Sequence, residues 1–128
     1  MKFIQTLCIL ILMSINVQAA QITGRADVVD GDTIKILGMS LRLSAIDAPE
    51  ELQQCQDNNK SPWNCGKAST RALAGLLKQG EVTCSGNQKD AYNRLLVLCS
   101  VNGIEVNEWM VSKGWAFAFT KYDKRFQK

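Results

Sequence analysis

Five charged side chains set in short, turn-rich motifs are the residues of this chain best suited to chemistry: Asp32, Arg42, Asp47, Glu50 and Arg94. They occur in Asp30-Gly31-Asp32-Thr33, in Arg42-Leu43-Ser44-Ala45-Ile46-Asp47-Ala48-Pro49-Glu50, and in Asp90-Ala91-Tyr92-Asn93-Arg94. A fourth motif, Val106-Asn107-Glu108 followed by Gly114-Trp115-Ala116, comes after them. Arginines beside carboxylates suit attack on an anionic phosphate ester. Planar guanidinium forks match phosphate geometry and stabilise the charge that grows during attack. Carboxylates gather a hard, oxygen-seeking cation that acts as a Lewis acid. A further glutamate, ionised at neutral pH, serves to activate or orient water. Taken singly, each residue has a plainer role: Asp32 flanks a hairpin, Arg42 pairs with Glu50 or Asp47, and Arg94 ends a strand. The combination, rather than any one motif, is what points to chemistry.

The sequence contains no histidine. That excludes Ser-His-Asp and Cys-His nucleophilic catalysis, histidine-based zinc hydrolysis and any histidine general base. With 128 residues the chain has room for one domain. Lys2, the apolar run Leu7-Cys8-Ile9-Leu10-Ile11-Leu12-Met13 and the small residues of Val17-Gln18-Ala19 follow the order of a secretory signal, cleaved after Ala19 or Ala20. A spanning helix wants about 20 apolar residues, and Gln5, Thr6, Ser14, Asn16 and Gln18 crowd this run from both sides. Residues 1–19 are therefore expected as signal and 20–128 as an exported domain, periplasmic or extracellular. Beyond Cys8, the cysteines are Cys55, Cys65, Cys84 and Cys99, an even set that reads as two disulfides in an exported chain. The formal net charge of +3 is too small for a general nucleic-acid coat protein, so any phosphate is met at a local site. Lys121 to Lys128 is a basic tail whose plainer role is a solvated end.

Several elements must hold these residues. A β-meander is expected from Gln21 to Ser44. Val28 and Val29 lead to an Asp30-Gly31 turn, Ile34 and Ile36 share one face, and Gly38-Met39 turns again. Alternation over Leu41-Arg42-Leu43 places Arg42 opposite two core leucines. Pro49 ends the sheet, and a polar loop runs from Glu51 to Asn64. Lys67 to Gln79 is a helix with Ala68, Ala72, Leu73, Leu76 and Leu77 on one face and Gly80 at C′. Strands follow at Glu81–Ser85 and Leu95–Ser100 around the Asp90–Arg94 turn. A short helix covers Val106–Lys113 and stops at Gly114. Trp115, Phe117 and Phe119 then alternate as core-facing positions. Five strands and two helices in this order suit a five-stranded Greek-key barrel of the OB type. Cys84 and Cys99 lie on two arms of one hairpin, which favours pairing them together and Cys55 with Cys65; two other pairings stay open.

The four motifs together resemble the staphylococcal nuclease (thermonuclease) family, in order and in spacing, over about Thr23 to Tyr122. The resemblance implies an OB barrel with helices that hydrolyses DNA and RNA phosphodiesters with calcium. Asp32 and Asp47, with the backbone carbonyl of Ala48, look like the calcium ligands, and Asp30 like a group acting through water. Glu50 looks like the base, Arg42 and Arg94 like the pair that grips phosphate, and Tyr92 like a tyrosine near the bound nucleotide. Ala91 stands where relatives often carry a basic residue. Asn93 replaces a usual glycine but tolerates the left-handed conformation. Relatives continue into a C-terminal helix, which is expected to be shortened here. A Cys55–Cys65 bridge would tether the loop after Glu50. A monomer without a stable protein partner is expected. The alternatives are a non-catalytic OB module that binds nucleic acid or protein, and an exported interaction domain with no affinity for phosphates.

Overall fold

The computed structural model describes residues 13–16 and 18–119. Most of the expected signal segment, the basic tail and any shortened C-terminal helix lie outside the described residues. Four strands open the domain: β1 (Ala20–Gly24), β2 (Ala26–Asp30), β3 (Thr33–Ile36) and β4 (Met39–Leu43). The short pieces β5 (Ile46–Asp47), β6 (Cys55–Gln56) and β7 (Pro62–Trp63) lead to helix α1 (Cys65–Leu77). The hairpin β8 (Val82–Lys89) and β9 (Leu95–Val101) follows, then β10 (Ile104–Glu105), helix α2 (Val106–Ser112) and β11 (Phe117–Ala118). The main sheet runs β1-β8-β9-β4-β3-β2, with β10 on β9. It curls into an OB-type half-barrel with two helices among the described residues. The five expected strands become seven because the first one changes partner at Arg25: β1 pairs with β8, whereas β2 pairs with β3. The short β10 is the other addition.

The turns differ slightly from those expected, and the difference matters. Asp30 pairs with Thr33, so Gly31-Asp32, not Asp30-Gly31, forms the β2–β3 turn, after a register shift between Val28 and Asp30. A shift of one residue reverses the face to which a strand residue points. Asp30 and Asp32 are consequently only 7% and 4% exposed. The next turn is Leu37-Gly38, with φ of 51° and 76°, the positive-φ pair that a tight hairpin favours. Asn93 takes the left-handed conformation with φ 64°.

Ile34, Ile36, Leu41, Leu43, Val97 and Val101 form the inner sheet face, met by Leu73, Leu76 and Leu77 of α1 and by Val106 and Met110 of α2. Two expectations are corrected. Helix α1 ends at Leu77, and the amides of Lys78 and Gln79 return to the carbonyls of Ala74 and Leu76. Gly80 therefore lies beyond C′; a Cβ there would meet the Asn102 side chain at 2.7 Å, so its smallness serves packing. The alternation after Gly114 is also reversed. The amides of Trp115 and Ala116 both reach back to the Met110 carbonyl, which rotates the chain so that Ala116 is buried and Phe117 is 77% exposed. Phe119 is exposed and Trp115 half-buried.

Two cross-links fix the barrel. Cys84 and Cys99 face each other in the β8–β9 register and are bonded, with Cα atoms 4.1 Å apart. Asn107 is buried in α2 and joins three chain segments. Its Nδ2 donates to the carbonyls of Ser44 (2.9 Å) and Val97 (3.0 Å), and its Oδ1 accepts the Cys99 amide (3.1 Å). The Asn107→Ala variant strands the Cys99 amide and the Ser44 carbonyl in the interior. Urea unfolding should show a loss of about 2–4 kcal/mol; a loss under about 0.5 kcal/mol would contradict this account of the junction.

Candidate active site

Arg42 is the centre of the site, and local backbone geometry holds it there. It lies on β4 between Leu41 and Leu43, opposite Thr33 of β3 and Leu96 of β9. The chain after β4 bends sharply through Ala45, whose φ is 65°, a region unfavourable to a residue with a Cβ. The bend turns two carbonyls inward: Arg42 Nη1 donates to Leu43 O (2.8 Å) and Ile46 O (2.9 Å). The other arm, Nη2, lies 3.3 Å from Asp32 Oδ2 and 3.6 Å from Asp47 Oδ1.

Asp32 projects from the tight turn and is fixed by three further contacts. Its Oδ2 accepts the Ala48 amide (2.8 Å), its Oδ1 accepts the Thr33 hydroxyl (3.1 Å), and its own amide donates to Asp30 Oδ1 (3.1 Å). Burial pushes its carboxyl up to about 7; the Ala48 amide and Arg42 oppose this, and Asp30 adds to it. Glu50 is exposed but shares the same charge field. The neighbouring Asp30 carboxylate, above all, holds its carboxyl above the ordinary glutamate range. Asp32 and Asp47 thus pair with one guanidinium that also acts on Glu50, and Asp30 abuts both Asp32 and Glu50.

Arg94 enters from the β8–β9 turn. Its Nε donates to Asp90 Oδ2 (2.7 Å) and its Nη1 to Thr33 Oγ1 (3.2 Å), while the guanidinium sits 5.3 Å from the Tyr92 ring centroid. Asp90 also accepts the amides of Tyr92 and Arg94 (2.9 Å each). Burial is the largest single influence and raises the Asp90 carboxyl, but these bonds and the guanidinium together outweigh it and hold the carboxyl below its usual range. Thr33 is the joint between the two arginine arms, since it receives Arg94 and donates to Asp32. Arg94 and Tyr92 line two adjoining clefts, one of about 780 Å³ that includes Glu50 and one of about 460 Å³ that includes Arg42 and Phe119.

All the acidic and basic candidates therefore meet in one region. Ala48 contributes its amide to Asp32. Reading by residue type overlooked Thr33, whose place inside the first motif was the available signal. It also overlooked the supports behind the turn and the Glu50 loop. A Cβ on Gly31 would clash with Ser69 of α1, and one on Gly66 would clash with the Glu50 carbonyl. The close approach of α1 to both segments thus depends on those glycines. Gln53 has no sequence signal at all. Its Oε1 accepts the Glu50 amide (3.2 Å), its amide donates to Glu50 O (2.9 Å), and its carbonyl accepts the Gly66 amide (3.1 Å). Next to Gly66, Cys65 is bonded to Cys55, with Cα atoms 5.6 Å apart.

Among the described residues, no three acidic, cysteine or histidine side chains already converge at metal distance. The donor set nevertheless suits a hard cation: it is carboxylate oxygen, without thiol or imidazole. The buried Asp32 charge is only partly offset by Arg42, and a cation between Asp32 and Asp47 would relieve it.

The staphylococcal nuclease homologue family matches residues 40–128 of the chain. Succinoglycan biosynthesis protein ExoI of Rhizobium meliloti (strain 1021) is 39% identical over 107 residues, 81% of this chain and 56% of that protein. A protein named uncharacterized endonuclease from Escherichia coli O157:H7 is 33% identical over 121 residues, 90% of this chain and 72% of its own length. Another of that name, from Haemophilus influenzae (strain ATCC 51907 / DSM 11121 / KW20 / Rd), is 32% identical over 98 residues, 73% of this chain and 49% of its own. The chain spans about half the length of the first and third of these relatives.

The tether on the Glu50 segment has a local consequence. A Cys55→Ser/Cys65→Ser variant should keep the main sheet, because Cys84–Cys99 and the core remain. Amide hydrogen exchange at Gln53 and Gly66 should quicken by about tenfold or more while β9 stays protected. Equal exchange with and without the bridge would contradict its role as the tether.

Proposed function

The chain belongs to the staphylococcal nuclease homologue family, and from that premise we propose that it is a calcium-dependent phosphodiesterase that hydrolyses DNA and/or RNA. The observation that carries the reading is the pairing of Arg42 with Asp32 and Asp47, with Glu50 and Asp30 in the same acidic cluster and Arg94 linked in through Thr33.

In this reading Asp32 and Asp47, with the Ala48 carbonyl, would hold a calcium ion, and Asp30 would support that site from behind through water. When bound, the ion supplies Lewis-acid polarisation of the phosphate. Arg42 and Arg94 grip the non-bridging oxygens and stabilise the charge that grows on them. Arg94 is already aimed by Asp90 and Thr33, so little reorientation is needed. Glu50 takes the proton of the attacking water or holds that water in line. The carboxylate form of Glu50 is required for this role. Gln53 and the Cys55–Cys65 bridge keep Glu50 in reach. Tyr92, exposed beside Arg94, meets the nucleotide.

We place residues 1–19 as an export signal and 20–128 as the exported domain, periplasmic or extracellular and monomeric. Two disulfides support an oxidising destination, and β1 starts at Ala20. No described helix is long and apolar enough to cross a membrane.

Digestion of single-stranded DNA by the oxidised mature protein tests the reading. Cleavage should occur with calcium, stop with excess chelator, and fall by about 10²–10⁴-fold in Glu50→Gln. No cleavage by a folded protein that still binds the strand would favour a non-catalytic OB module instead.

A further inference from the structure

Phe117 is 77% exposed although it lies within a paired strand. Its partner across the β5–β11 ladder is Asp47. Directly opposed residues project from the same face, with Cβ atoms about 5 Å apart. Asp47 in turn lies 3.6 Å from the Arg42 guanidinium. An uncovered phenyl ring therefore stands beside the carboxylate that would hold the cation in the proposed reaction, and that carboxylate in turn touches the phosphate-gripping Arg42.

The ring is held on fixed backbone. On one side Ala116 is buried and its amide is bonded to Met110 O at 3.2 Å; on the other the Phe119 amide donates to Ala45 O at 2.8 Å. A carboxylate neighbour gives a phenyl face no attraction, because that face is electron-rich, and water contact is unfavourable for it. A nucleobase meets both needs: it is flat, it stacks on aromatic faces, and its sugar joins it to the phosphate.

We propose that Phe117 is a stacking platform for the base of a nucleotide adjoining the phosphate gripped by Arg42 and Arg94. It is a second platform, on the Asp47 arm of the site, distinct from Tyr92 on the Arg94 arm. The proposal rests on the nuclease reading and deepens it. A base can reach Phe117 only when it is out of a duplex stack, so the substrate class is single-stranded or locally opened nucleic acid, with little sequence preference.

Fluorescence anisotropy in a Glu50→Gln background, which slows cleavage, tests this with two probes in calcium. One is a single-stranded oligonucleotide; the other is an abasic backbone of equal length. The parent should prefer the base-bearing strand. Adding Phe117→Ala should shrink that preference by about 5- to 150-fold, and Phe117→Trp should retain it. An unchanged preference in Phe117→Ala, or an equal loss of affinity for both probes, would overturn the stacking role while leaving the nuclease reading intact. A parent that binds neither probe would overturn both.

Discussion

The structure turns on a buried conflict of charge. Asp30 and Asp32 are drawn below the surface by a tight turn and a register shift, and Asp47 and Glu50 are brought to the same place by the chain after β4. Among the described residues, Arg42 is the cation that pairs with Asp32 and Asp47. Burial disfavours the charged form of Asp32 and pushes its carboxyl up to about 7. Since the folded pKa is raised, the folded chain holds more protons than the unfolded chain between the two pKa values. The sign is then fixed: with no cation bound, ionising Asp32 lowers stability as pH rises through this window. A cation bound beside Asp32, as proposed, would relieve this cost.

The surrounding architecture serves that cluster. The strained bend at Ala45 aims the Leu43 and Ile46 carbonyls at Arg42. Helix α1 is brought against the Asp30–Thr33 turn at Gly31 and against the Glu50 segment at Gly66, and at neither position is there room for a side chain. Asn107 of α2 closes the far end of the β4–β9 pair, so the two strands that carry Arg42 and lead from Arg94 stay in register. Rigid elements thus fix the arginines, and a disulfide-tethered loop carries Glu50.

Much of this was legible in the residues. Asp32, Arg42, Asp47, Glu50 and Arg94 stand out only jointly, because their motifs occur together in one order and spacing; singly, each has a plainer structural role. Alternation around Arg42 and the hairpin placement of Cys84 and Cys99 follow from local periodicity. What local pattern could not give was anything decided by a backbone rotation or a distant partner. Phe117 and Phe119 alternate as core residues do, yet the hydrogen bonds that Trp115 and Ala116 send back to Met110 reverse their sense. The Asp-Gly pair signals a turn, yet the bulge before it moves the turn by one residue and buries Asp30. Gln53 and Thr33 act through contacts to segments set by the tertiary fold.

The central claim is that the Asp32 environment is built for a cation. Thermal unfolding of the oxidised mature protein with and without calcium addresses it, beside Asp32→Asn, at pH values below and above about 7. Calcium should raise the melting temperature of the wild type, more so above that pH, where Asp32 no longer competes for a proton. It should leave Asp32→Asn unmoved. A wild type whose melting temperature ignores calcium at either pH, or an Asp32→Asn variant that responds as fully as the wild type, would contradict the account.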